Sequence, residues 1–185
     1  SFTFDIKKNY FDLQNIKISL NDNYLFIPEL LTKKNKDNYL INGKINNERV
    51  KLSQNNINLI NKKNPKLNIQ KLEFASKNSF SFEVNKKFKI DNLQIDSNID
   101  LKNLFLLNEN KILTKVLPKF KKNIKFQNHK IKLKYDKANL FIDGFGEFLV
   151  QDFNDKISYK IDKTNKKINF DLKLEIIKNL INLDF

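Results

Sequence analysis

A two-residue alternation of apolar and polar side chains, recurring from one end of the chain to the other, constrains this sequence more than anything else in it. Ile168-Asn169-Phe170-Asp171-Leu172-Lys173-Leu174-Glu175-Ile176 carries the pattern most cleanly. Phe2/Phe4/Ile6, Ile16/Ile18/Leu20, Phe80/Phe82/Val84, Ile131/Leu133/Tyr135 and Ile157/Tyr159/Ile161 repeat it. Successive side chains of a strand point to opposite sides, so the pattern builds one apolar face and one wet face. The expected fold is mainly β: an extended antiparallel meander forming a curled sheet or groove. A sheet with one apolar face must cover it with something, and the identity of that cover decides what the chain does.

Strand-like stretches recur about every 10–12 residues, the spacing of an all-β meander or sandwich. They lie near 2–8, 13–20, 24–28, 38–45, 48–53, 66–74, 79–84, 87–95, 130–135, 138–143, 147–151, 155–162, 166–176 and 180–185. The expected turns are Asn21-Asp22-Asn23, Asn46-Asn47, Asp136-Lys137, Asn154-Asp155 and Lys163-Thr164-Asn165-Lys166. Asn and Asp tolerate the left-handed backbone, so they stand in for glycine, of which the chain has only 3. Between Leu67/Ile69 and Leu72/Phe74 the apolar register moves by one, which predicts a β-bulge or short turn at Gln70-Lys71.

Residues 100–121 break the alternation. Leu104, Phe105, Leu107, Ile112, Leu113, Val116, Leu117 and Phe120 fall at roughly helical spacing, with Asn108 placed to cap and Pro118 to stop a helix. The expected organisation is therefore an N-terminal β segment over 1–99, a short amphipathic helical interruption near 100–121, and a C-terminal β meander over 122–185, all in one continuous sheet.

The chemistry of bond-making is thinly represented. Cysteine is absent, which excludes disulfides and thiolate metal sites. His129 is the only histidine; within Gln127-Asn128-His129-Lys130 it reads as an exposed turn residue, with no activated nucleophile near it and no second ligand for zinc. Asp143-Gly144-Phe145-Gly146 lacks the third glycine of a dinucleotide fingerprint and the lysine of a P-loop; a tight bend or bulge between two strands is expected there. No enzyme activity, cofactor or metal is expected, and no run approaches the ~18 apolar residues of a membrane-spanning helix.

The net charge of +14 can mean nucleic acid or an anionic membrane surface. A composition rich in Asn, Ile, Lys and Phe and poor in Gly, Ala, Pro and Arg also produces it, as in an AT-rich genome. Lys119 to Lys137 holds eight lysines and one acid, Asp136, so 8 − 1 = +7. Lys119, Lys121, Lys122, Lys125 and Lys130 are the candidates for contact with an anionic surface. Lys132 and Lys134 alternate with Ile131, Leu133 and Tyr135, as the wet face of a strand does. Arg49 is the sole arginine in the chain, and readout of base edges favours the planar guanidinium. No specific nucleic-acid partner is expected.

With about 20 residues of helical pattern, the chain cannot cover so large a sheet with helices. Either the sheet folds over itself as a sandwich or barrel, or it curls into a groove that meets a hydrophobic ligand. Asn139-Leu140-Phe141-Ile142-Asp143-Gly144-Phe145-Gly146, preceded by Ile131-Lys132-Leu133-Lys134-Tyr135, resembles a recurring element of AsmA-like proteins, a group with TamB-like and YhdP-like members. The resemblance continues through Phe153-Asn154-Asp155-Lys156-Ile157-Ser158-Tyr159-Lys160-Ile161 and Lys167-Ile168-Asn169-Phe170-Asp171-Leu172, and covers residues 100–185 best. It implies a periplasmic protein of the Gram-negative envelope, held in the inner membrane by an N-terminal anchor and carrying phospholipid acyl chains along an apolar β-groove toward the outer membrane. A start at Ser1 and an end within an alternation fit a piece of such a protein. The lining candidates are then Ile131, Leu133, Ile157, Tyr159, Ile161, Ile168, Phe170, Leu172 and Leu174. The alternatives are a structural β-sandwich interaction domain without lipid and, last, a basic nucleic-acid-binding domain.

Overall fold

A computed structural model describes residues 1–5, 10–20, 23–52, 54, 57, 68–108 and 115–182. Ten antiparallel strands follow one another in sequence order across a single sheet. They are β1 (Phe2–Asp5), β2 (Tyr10–Leu20), β3 (Asn23–Asn35), β4 (Asn38–Leu52), β5 (Asn68–Val84), β6 (Ile90–Leu107), β7 (Asn123–Asp136), β8 (Asn139–Leu149), β9 (Asn154–Lys163) and β10 (Ile168–Glu175). Each strand pairs only with its sequence neighbours and β1 does not meet β10, so the sheet is open. Among the described residues it is neither a barrel nor two sheets packed face to face.

The strands are fewer and longer than the punctuation predicts. Asn46-Asn47 lies inside β4, because Asn47 satisfies its amide across the sheet by donating to Ser76 Oγ at 2.9 Å. Gly144 and Gly146 lie inside β8 with no positive φ, so the two stretches expected at 138–143 and 147–151 are one strand. Asn154-Asp155 opens β9 rather than forming a turn. The turn at Asp136-Lys137 and the loop over 163–166 are where the sequence puts them, and the bulge expected at Gln70-Lys71 is present as a register shift between Ile69 and Lys71.

The helical interruption is not found as expected. Residues 100–107 complete β6, and among the described residues no helix forms an element. Ile112 and Leu113 lie outside the described residues; Lys115 and Val116 have helical backbone, and Pro118 sits in a turn closed by Phe120 N–H onto the Leu117 carbonyl at 3.0 Å. The apolar run Leu104-Phe105-Leu106-Leu107 looked helical because both faces of this strand end are apolar. Phe105 projects to the wet side, where the ammonium groups of Lys71 and Lys125 sit 5.4 and 5.2 Å from its ring. Residues 180–182 are not strand, and 183–185 lie outside the description.

Cross-strand register sorts the side chains into two faces. One row reads Ser76, Ile99, Ile131, Gly144, Tyr159, Leu172 from β5 to β10; the adjacent row on the other side reads Lys77, Asn98, Lys132, Asp143, Lys160, Asp171. We call these the apolar and the charged face. The molecule exposes 13466 Å² to solvent, whereas a compact chain of 22.0 kDa exposes roughly 9,300 Å². The excess is what a single layer produces. Among described residues, only Ile57, Leu101, Phe148 and Val150 are buried apolar side chains.

Candidate apolar binding face

All nine lining candidates stand on the apolar face. Ile131 and Leu133 of β7, Ile157, Tyr159 and Ile161 of β9, and Ile168, Phe170, Leu172 and Leu174 of β10 are brought together by the pairs Leu172–Tyr159, Phe170–Ile161 and Leu174–Ile157, with β8 between β7 and β9. Exposure grades across them. The β7 and β9 members are half-buried by their neighbours, while Ile168, Phe170, Leu172 and Leu174 on the last strand are 65%, 61%, 44% and 45% exposed. The same face continues through Ile95, Ile99, Phe80, Phe82, Ile41 and Leu30 toward Phe11 and Phe2.

Two features of this face were not read from the sequence. The first is a glycine floor under aromatic rings. A Cβ added to Gly144 would lie 2.5 Å from Tyr159 Cζ, one on Gly43 would lie 2.5 Å from Phe80 Cζ, and one on Gly146 would lie 2.8 Å from His129 Cα, all too close to exist. The glycines supply room for rings to lie flat across a neighbouring strand, not a turn. His129 is accordingly not an exposed turn residue. It belongs to β7, is 1% exposed, and sits on the apolar face. Asn128, left-handed at φ 54°, forms the bulge between Gln127 and Lys130, and His129 after it alternates in step with Ile131 and Leu133. The Glu147 carbonyl, 2.9 Å from Nε2, can only accept, so Nε2 carries the hydrogen and Nδ1 accepts from the Tyr159 hydroxyl at 3.3 Å. Burial lowers the pKa of His129, against a smaller opposing effect of the Glu147 carbonyl, and burial raises that of Tyr159.

The second is a polar seam. Asn47, Ser76, Asn78 and Ser97 occupy apolar-face positions of β4, β5 and β6. Asn78 Nδ2 donates to Ser76 Oγ and to the Ile45 carbonyl, each at 2.9 Å. Ser76 and Ser97 are buried among their taller neighbours. The signal was visible as small polar residues at inward positions between Phe74 and Phe80.

The charged face holds the lysines. Lys130 pairs with Asp100 at 2.6 Å, Lys134 with Asp96 at 3.5 Å, and Lys125 covers Phe105. Lys119 and Lys121 instead lie at the end of the sheet on Asp152, at 3.5 and 2.8 Å, and Lys122 precedes β7. Of the five anionic-surface candidates, four are engaged within the molecule. A recess of about 800 Å³ also opens among charged-face side chains, between Phe26 and Phe145 and over Lys77, Lys130 and Lys132. Among the described residues no three His, Asp or Glu side chains gather as a metal site would require.

Beyond β10 the chain crosses the ends of β9 and β8. Ile177 N–H and the Asn179 amide donate to the buried Asp155 carboxylate, Asn179 Oδ1 accepts from Phe153 N–H at 3.2 Å, Gln151 Nε2 donates to the Leu180 carbonyl at 2.7 Å, and Asn182 N–H reaches the Val116 carbonyl at 2.8 Å. No protein-family model, curated protein or solved structure matches this chain.

Proposed function

We propose that this chain is a segment of an inner-membrane-anchored periplasmic protein whose apolar β face shields phospholipid acyl chains during their movement toward, or in maintenance of, the outer membrane. The observation that carries this reading is the open ten-stranded layer with one apolar face and, among the described residues, no second layer upon it. An acyl chain laid along such a face loses water contact at about 25 cal/mol per Å² of apolar surface, with no bond made or broken. The paired lysines and single arginine give no comparable support to nucleic acid.

Native mass spectrometry of the protein purified from bacterial cells tests this. Bound phospholipid is expected, and Ile161→Asp, which places a carboxylate among the lining side chains between Ile142 and Phe170, is expected to abolish the adducts while leaving the β circular dichroism intact. Lipid-free protein throughout would leave a structural β domain as the better account.

A further inference from the structure

Among the described residues the outer edge of β10 has no neighbour. β10 pairs with β9 along its whole length on one side, from Ile168–Lys163 to Glu175–Lys156. The chain then turns away across the ends of β9 and β8, so residues through 182 add no eleventh strand. A row of unpaired backbone N–H and C=O groups on an alternating, half-apolar strand is a template for another strand.

We propose that this edge pairs with the same edge of a second copy of the chain, antiparallel about a two-fold axis through Leu172, joining two sheets into one of twice the width. The register follows from the side chains. Residues facing each other across an antiparallel pair share a face of the sheet. With Leu172 on the axis, Leu172 faces Leu172 of the second copy, Phe170 faces Leu174, and Ile168 faces Ile176, so the apolar face continues unbroken. On the charged side Asp171 faces Lys173 of the second copy, and Lys173 faces its Asp171. Moving the axis to Asp171 or Lys173 would instead oppose two like charges. The charges also extend a pattern already in the sheet: Lys132, Asp143, Lys160 and Asp171 alternate in sign strand by strand, and Lys173 of the second copy is the next member. The exposed Leu172 and Phe170 side chains, 44% and 61% accessible at this edge, gain neighbours on their open side. The two-fold closes the assembly at two copies, whereas pairing of β10 with β1 of another copy would propagate.

Sedimentation velocity across a concentration series tests this in the full chain. A concentration-dependent dimer is expected; Asp171→Lys or Lys173→Asp alone is expected to abolish it, and the two together to restore it. Because the chain has no cysteine, Leu172→Cys reports register directly: mild oxidation is expected to give a disulfide dimer, and Lys173→Cys none. A monomer at all concentrations overturns the proposal. So does a dimer indifferent to both charge reversals, or a growing polymer, either of which would place the contact elsewhere. Lipid adducts on a monomeric variant would leave the acyl-chain reading intact, which separates the two tests.

Discussion

His129 is held neutral by its surroundings: one ring nitrogen donates to the Glu147 carbonyl, the other accepts from Tyr159, and Gly146 lies directly beneath the ring. Protonating it would place a charge inside a largely desolvated spot, even with the Tyr159 hydroxyl turned to accept from Nδ1. The unfolded chain takes up that proton near the ordinary histidine value of about 6.5, and the folded chain only at lower pH. Stability is therefore full above about pH 6.5 and falls as pH drops from there toward the depressed folded pKa. Glu73, whose pKa is held low mainly by its hydrogen bond to Arg49, contributes only at more acid pH. Denaturant midpoints measured between about pH 7.5 and 5 are expected to fall for the native chain and to stay flatter for His129→Gln, whatever that variant loses at pH 8. An equal slope in both would remove His129 as its source. The sequence showed this histidine to be alone and without catalytic partners, but not that it is buried. It keeps the parity of Ile131 and Leu133, but an Asn in a polar stretch reads equally as a turn, and the alternation marks a strand only from 130.

That ambiguity recurs at the scale of the strand. An inserted residue keeps the apolar side chains on one face while reversing the parity of their sequence numbers. Phe126 precedes Ile131 and Leu133 across Asn128, Leu104 follows Leu101 across Lys102, Val50 follows Ile45 and Asn47 across the shift between Asn47 and Val50, and Ile95 follows Ile90 across Asn92. A change of parity within one apolar rhythm thus marks a bulge, while a true turn restarts the rhythm after Asn, Asp or Lys. The shift at Gln70-Lys71 was legible on this basis; the one between Asn47 and Val50 was read as a strand end that divided β4, and the one at Asn128 cut β7 short at 130, whereas β5 and β8 were divided at their small polar residues and glycines, where they carry no bulge. The backbone agrees, since Asn15, Asn92 and Asn128 hold φ 58°, 55° and 54°, and Asn is the non-glycine residue that visits this region most cheaply. Asn128→Gly is expected to be tolerated, and Asn128→Val to cost about 1–2 kcal/mol in urea unfolding through left-handed strain on a β-branched residue. A cost for valine no greater than for glycine would show that the bulge does not need the left-handed conformation. Residues 100–107 failed for a different reason: a short run apolar on both faces has no period, so a strand end and a helix look alike.

For the whole molecule, the class, the antiparallel meander and the composition of the two faces were legible, because each follows from period-two patterning. What lies on the apolar face was not, because a covered and an uncovered sheet have the same alternation. The open edges and the roughly 9,300 Å² expected of a compact chain, set against 13466 Å² observed, show that among the described residues no second sheet covers the face. A layer of this kind gains little from its own core, so an occupant of the apolar face should contribute visibly to stability. A ligand that binds only the folded sheet stabilises it by RT ln(1 + [L]/Kd), about 2.7 kcal/mol at a hundredfold excess over Kd. At about 2–4 °C per kcal/mol for a chain of this length, the melting temperature should rise by roughly 5–10 °C. Differential scanning fluorimetry with a lysophospholipid kept below its micelle concentration is expected to show this rise, saturating with ligand, and to show none for Leu133→Asp. Sodium chloride should change it little, because the binding energy is assigned to acyl chains and not to lysines such as Lys130 and Lys134, which pair with carboxylates on the opposite side of the sheet. A rise that disappeared with salt would transfer the interaction to the charged face.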